Sequence, residues 1–327
     1  MRLRSLRKLE EMELRGEHKT LTAERKELNA LIKSEDLQWK AIAEQVKDAK
    51  KQFGQSTPLG KRLETSVIVD NRGGGSGIIA IELTTRAPAD GHTLLLVASS
   101  FGVNPAVKRK LPYDYQRDLA PITLISTAPN ILVVGAGLPV KSVDELVQVA
   151  RSKPGQLTFG SSGNLGSPHL AGELFKLMTG VSMTHVPYKG AAAALTDVIA
   201  GRISMSFASL PSAIGHVRSG RLRALAVTSE KRFSLVPELP SLNELGLTGF
   251  ETSAWQGLLA PGKTPAALVN RINADAAAAI ASPAMRSVLV ANGAEGVGNS
   301  PAAFASYVQN QITKWTKVVK AAGIEAD

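Results

Sequence analysis

The 327-residue chain contains no cysteine. That excludes disulfides, thiolate nucleophiles and Cys-ligated metals, but says nothing about compartment. No apolar run reaches the roughly 18 residues that a membrane-spanning helix needs. The basic start, Met1 to Lys8, leads into Glu10-Glu11 with no apolar core and no small-residue cleavage site. It does not read as a signal peptide, so the polypeptide as written is expected in the cytoplasm. The five histidines, His18, His92, His169, His185 and His216, form no His-x-x-x-His and no acidic cluster. No metal is expected. No Gly-Lys-Ser/Thr phosphate loop, dinucleotide fingerprint or Gly-x-Ser-x-Gly elbow is present, and no acid–base or nucleophile set is legible. Neither an enzyme nor a cofactor is expected. Despite a net charge of +10, no dense Lys/Arg stripe carries interleaved aromatics, so nucleic acid is not the expected partner. The positive excess suits anionic ligands or is simply a basic surface.

What is present divides near Thr65–Ser66. Residues 1–65 hold 15 Lys/Arg and 11 Asp/Glu, whereas the other 262 residues hold 23 and 17. In the first part Leu28, Ile32, Glu35, Trp39, Ile42, Val46, Ala49 and Phe53 alternate four and three apart, with Leu14 and Leu21 upstream. This is the stripe of a two-stranded coiled coil, so residues 1–53 could form a homodimer. Ser34 before Glu35-Asp36 marks a possible helix restart. Gly54, Pro58 and Gly60 end the pattern.

From Ser66 strand and helix signals alternate, as in an α/β fold. Strands are predicted at Val67–Val69, Thr93–Ala98, Leu157–Phe159, Val181–Val186, Ile203–Phe207, Leu222–Val227 and Gln256–Leu259. Ser142 with Glu145 predicts a capping box. Ser167-Pro168, Thr264-Pro265 and Ser300-Pro301 predict helix starts, the first helix being stopped by Gly180.

Gly160-Ser161-Ser162-Gly163-Asn164-Leu165-Gly166-Ser167-Pro168-His169 follows a strand and enters a helix. It reads either as a loop whose backbone donors and serines hold an anion or as a plain strand–helix turn. Tyr188-Lys189-Gly190 sits between the next strand and a helix over 191–200, whose N-terminus Gly190 leaves open to a carboxylate. Lys189 there either neutralises a carboxylate or is a surface lysine. Ser99-Ser100-Phe101 closes a strand at its carboxyl end, where open sheets bind ligands, though serine also caps helices there.

Two resemblances follow from particular segments. Arg2 to Leu14, with Glu17-His18, Leu21, Glu24-Arg25, Leu28, Leu31 and Ser34-Glu35, resembles the coiled-coil arm in the A subunit of bacterial type IIA topoisomerases, closest to topoisomerase IV. The first tyrosine of the chain, Tyr113, lies beyond it, so the resemblance carries no DNA-cleaving group. Residues 66–327 resemble the substrate-binding proteins of tripartite tricarboxylate transporters, the Bug or TctC type. The segments are Val69-Asp70-Asn71-Arg72, Ala87-Pro88-Ala89-Asp90-Gly91-His92, Leu111-Pro112-Tyr113-Asp114, Lys153-Pro154-Gly155, His169 to Phe175, His185-Val186-Pro187-Tyr188-Lys189-Gly190, Arg221 to Thr228, and Pro237 to Ser241.

That second resemblance implies a type II periplasmic-binding-protein-like α/β fold of two domains, here an apparent chimera. A helical arm (1–65) precedes a first domain (66–127 plus 251–327) lacking its first strand, and a second domain (128–250). The strands joining the domains are placed near Leu124–Val134 and Phe250–Leu259. It implies a periplasmic receptor for a small carboxylate or related metabolite, partnered by membrane subunits, with binding impaired by the truncation. The implied site is Ser99, Ser100, Phe101, Ser161, Ser162, Gly163, Asn164, Ser167, His169, Tyr188, Lys189, Gly190 and Ser209. At Ala208-Ser209 the chain departs from the Asp-Asn or similar pair usual in the family. The other reading is a coiled-coil interaction protein, or a topoisomerase-related fragment without cleavage activity.

Overall fold

A computed structural model describes residues 58–324, except residues 64, 73, 74 and 109. The coiled-coil seam from Leu14 to Phe53 and the homodimer through residues 1–53 lie outside the described residues. The chain divides after Val69. The described part before that point holds one short helix, α1 (Pro58–Arg62). The strand expected at Val67–Val69 does not form, and Ile68 and Val69 stand exposed. β-Branched residues favour a pleated, half-buried surface, but they make a strand only where a neighbour pairs with them.

From Asp70 the elements are α2 (Ile78–Thr85), β1 (Leu95–Ala98), α3 (Ser100–Val107), β2 (Leu119–Gly135), α4 (Val143–Ser152) and β3 (Thr158–Ser161). They continue with α5 (Ser167–Thr179), β4 (Thr184–Pro187), α6 (Ala191–Ile199), β5 (Met205–Ser209), α7 (Leu210–Arg218) and β6 (Leu222–Val227). The last are β7 (Ser253–Pro261), α8 (Ala266–Ile280), α9 (Pro283–Ala291), β8 (Glu295–Gly296) and α10 (Pro301–Ala321).

The long strand β2 serves two sheets. Its first stretch, from Leu119 to Pro129, pairs with β7, which in turn pairs with β1, while β8 adds to β2 at Ser126 and Thr127. All these pairings are antiparallel. From Asn130 to Gly135 the same strand runs antiparallel between β5 and β6, and β3 lies parallel to both β5 and β4. Pro129 stands at the changeover, where a missing N–H is tolerated. A buried threonine network closes the return path. Asn130 N donates to Thr228 Oγ1 (2.8 Å), Thr228 Oγ1 donates to the Thr252 carbonyl (2.6 Å), and Thr252 N donates to the Thr228 carbonyl (2.9 Å). The two stretches predicted to pass between the halves, Leu124–Val134 and Phe250–Leu259, therefore fall on β2 and on β7 with its approach.

Several boundaries differ from expectation. β1 covers four residues rather than Thr93–Ala98, and it is not buried throughout. Leu95 and Val97 face the core while Leu96 is 62% exposed. Period-two alternation with core on one side gives this pattern. β4 begins at Thr184, not Val181. Gly166, not Ser167, is the N-cap of α5, and Pro265, not Thr264, precedes α8. Gly180 does stop α5, at φ +68°. Ser142 and Ser300 cap α4 and α10 as predicted, and Ser282 caps α9 in the same way.

The core under the first sheet gathers Ile81, Leu95, Val97, Phe101, Trp255, Leu259 and Phe304. On the second sheet Leu132, Val134, Phe159, Phe175 and Phe207 pack with Trp315, Val318 and Val319 of α10. Gly172 lets α5 lie close on β3, since a Cβ there would come 2.2 Å from the Phe159 ring. No single helix among the described residues is long and apolar enough to cross a membrane.

Candidate functional site

A recess of about 160 Å³ opens where β2 changes sheets. Ala128 and Asn130 of β2 and Ala254 of β7 form one side. Ser162, Ser167, Pro168, Ala191 and Ala194 form another, with Ser206 to Ser209 of β5 completing the lining. The recess thus meets the N-termini of three helices, α5 at Ser167, α6 at Ala191 and α7 after Ser209.

None of these three helices has a side-chain cap. Of the other helices α4, α9 and α10 are capped by Ser142, Ser282 and Ser300, each accepting from the N–H three residues on, while α2, α3 and α8 also lack a side-chain cap but do not meet this recess. The first N–H groups of a helix have no partner inside it, and the helix dipole makes that end positive. Three uncapped ends around one recess make a place for negative charge. None of the named lining residues is acidic.

The serines add directed donors. Asn130 Nδ2 donates to Ser167 Oγ at 3.2 Å, which leaves the Ser167 proton free to turn toward the recess. Ser209 Oγ pairs with Ser212 Oγ at 2.7 Å. Ser206 is already committed, donating to the Gly160 carbonyl at 2.8 Å. Gly190, before α6, has φ +121°, a conformation that a residue with a Cβ avoids. Lys189, one residue earlier, is exposed and makes no ion pair among the described residues.

Of the residues named from the sequence, Ser162, Ser167 and Ser209 line the recess. Gly163 and Asn164 lie on the loop between β3 and α5. Ser161 and His169 lie behind that loop, 1% and 6% exposed. Tyr188 is turned away, with its hydroxyl donating to Asp197 Oδ2 at 2.6 Å. Arg202 holds the same carboxylate and keeps it below its usual range. Ser99 and Ser100 sit at the end of β1, tied to the preceding loop by Ser100 Oγ and Asn104 Nδ2, both directed at the Ser76 carbonyl. They are not among the lining residues. Phe101 is buried in the first-sheet core, stacked on Tyr113 with centroids 6.2 Å apart. Its ring is a packing element and does not reach the recess.

Asn130 was not anticipated. A single amide inside the apolar run of β2 was the visible signal for Asn130. The helix start at Ala191 was reached through Gly190, which the sequence offers as the approach to that N-terminus.

Behind the loop the rings of His169 and His185 stack with centroids 3.9 Å apart, and Phe159 lies 4.9 Å from His185. Leu165 N donates to His169 Nδ1 (3.0 Å), and His185 Nε2 meets Ser161 Oγ (2.7 Å). Burial pushes both imidazoles down to about 4, with Lys176 adding to the effect on His169 and the neighbouring ring adding to that on His185.

The tripartite tricarboxylate transporter family receptor, TctC, matches residues 54–324. The match begins upstream of Ser66 and takes in residues 54–65, which the sequence reading gave to the arm. The chain is 37% identical over 265 residues to the "UPF0065 protein in tcbD-tcbE intergenic region" of Pseudomonas sp. (strain P51), covering 81% of this chain and 79% of that one. Among solved structures, R. palustris Rpa4515 with adipate is 36% identical with a TM-score of 0.67, covering 86% of this chain and 94% of that one. MatC (Rpa3494) from Rhodopseudomonas palustris with bound malate is 28% identical with a TM-score of 0.63, covering 81% and 91%. These likenesses support a periplasmic-binding-protein-like α/β fold. The chain belongs to the tripartite tricarboxylate transporter receptor family, TctC, and is a solute-binding receptor of that type.

Proposed function

We propose that this receptor takes a small carboxylate, in the first instance a dicarboxylate, with one carboxylate seated in the recess beside Asn130. The observation that carries the reading is the convergence of three uncapped helix N-termini on a recess whose named lining includes no acidic group. The Rpa4515 and MatC structures, holding adipate and malate, are consistent with it. Ser162, Ser167 and Ser209 supply hydroxyls, the starts of α5, α6 and α7 supply N–H groups, and Lys189 supplies long-range attraction. Gly163, Asn164 and Gly190 shape the loops. The receptor works by capture and release, without bond chemistry. It hands solute to membrane subunits and acts in the periplasm, as its family does. The coiled-coil interaction reading is not favoured, since the family match accounts for residues 54–324.

The test is isothermal titration of the purified full chain with adipate, malate, a neutral sugar and a cationic amino acid. Saturable binding confined to the acids is the expected result. Binding of the sugar or the cation in preference to the acids overturns the reading.

A further inference from the structure

The loop that presents Ser162 and Ser167 holds an unfavourable backbone conformation. Leu165 has φ +61°, in the left-handed region that disfavours any residue with a Cβ. Its N–H is satisfied by one acceptor, His169 Nδ1 at 3.0 Å. At the other end of the loop Ser161 Oγ donates to the Gly163 carbonyl (2.8 Å) and so accepts from His185 Nε2 (2.7 Å). These bonds fix both tautomers. His169 is an acceptor at Nδ1 and carries its proton on Nε2, and His185 carries its proton on Nε2. Two stacked neutral rings therefore grip the loop at both ends, from the side away from the recess.

We propose that the His169–His185 pair is the positioning element of the ligand loop, and that loop order, and with it solute affinity, requires both rings to be neutral. The proposal rests on the loop being the ligand loop of the reading above. A proton added to His169 must go to Nδ1, where it would face the Leu165 N–H donor and break the bond. A proton on His185 would place a cation against the His169 ring. The charged groups facing the pair are on α5. Glu173 Oε1 lies 3.8 Å from His169 Nε2, and Lys176 Nζ lies 2.8 Å from Glu173 Oε2. The attraction of that carboxylate for an imidazolium is thus largely met by Lys176. β3 presents Phe159 and Ser161 to the pair, and α10 joins this core through Trp315, Val318 and Val319. The values near 4 for both rings agree with neutrality at pH 7.

When the loop lifts, the rings regain solvent and their ordinary affinity for protons. Lifting is therefore favoured as pH falls from about 6.5 toward 4, by up to about tenfold per pH unit for each ring. The experiment is amide hydrogen exchange of residues 162–166 in the ligand-free full chain across that range, with Ile131–Val134 of β2 as internal reference. Loop protection, corrected for the intrinsic pH effect, should fall while the reference holds. His169→Asn keeps an acceptor for Leu165 N–H, its Oδ1 on Cγ standing where Nδ1 stands, without the charge, and should retain loop protection at low pH. His185→Phe keeps the stack and should weaken the pH response. Unchanged wild-type protection, or the same fall in His169→Asn, overturns the proposal. Titration of the same proteins with adipate and malate forms the second arm, in which the wild type should lose more affinity at acid pH than His169→Asn. If neither acid binds at any pH the carboxylate reading fails, and the exchange data still decide the role of the histidines.

Discussion

Asn130 and Ser167 join the strand that passes between the two sheets to the first residue of the helix facing the recess, through Nδ2 and Oγ at 3.2 Å. The amide is 2% exposed and lies in β2, where pairing with β7 gives way to pairing with β5. It orients the serine hydroxyl from a rigid element.

Replacing Asn130 tests this link. Asn130→Ala leaves Ser167 without its orienting donor and should raise the Kd for a dicarboxylate about tenfold, the size expected for one hydrogen bond. Asn130→Asp should cost more, because it sets a carboxylate beside the bound one. Calorimetry on folded variants, with circular dichroism as control, measures both.

Lys189 acts at longer range. It is exposed, so Lys189→Gln should raise the Kd only about two- to fivefold, as for a surface charge. The difference between the two proteins should shrink as salt rises from low ionic strength. Titrations at two salt concentrations check both statements.

Gly172 controls how closely α5 lies on β3. In Gly172→Ala the new methyl would meet the Phe159 ring, and moving either one disturbs the His185 stack on the same ring. A loss of about 1–3 kcal/mol in unfolding free energy is expected for such overpacking. Binding should weaken as well. Denaturant unfolding and titration of the same sample check it.

The histidines also set a pH dependence of global stability. Both folded-state values, about 4, lie below the ordinary 6.5. The unfolded chain therefore binds more protons than the folded one between those limits. This contribution is complete above about pH 6.5 and is lost as pH falls toward 4. Thermal unfolding should show a falling Tm over that window, with a shallower slope in His169→Asn.

Much of this arrangement was legible in the sequence. Ser142, Ser300 and Gly180 mark helix ends by local chemistry, and the structure places the ends there. Ser162, Ser167 and Ser209 were reached through strand–helix turns and a family resemblance. The failures have tertiary causes. Phe101 follows a strand end, but its ring finds Tyr113 in the core. The Tyr188 hydroxyl is taken by Asp197, nine residues on. Asn130 enters the site only because β2 passes between two sheets, which local pattern does not reveal. Val67–Val69 has strand propensity but makes no strand pairing.

The most direct test of the central claim is a backbone-amide NMR titration of the full chain with adipate and with malate. The account predicts saturable shifts concentrated at Ser167, Ala191, Leu210 and the loop from Ser162 to Leu165. Shifts confined to surfaces away from these three helix starts, or no shifts with either acid, would contradict it.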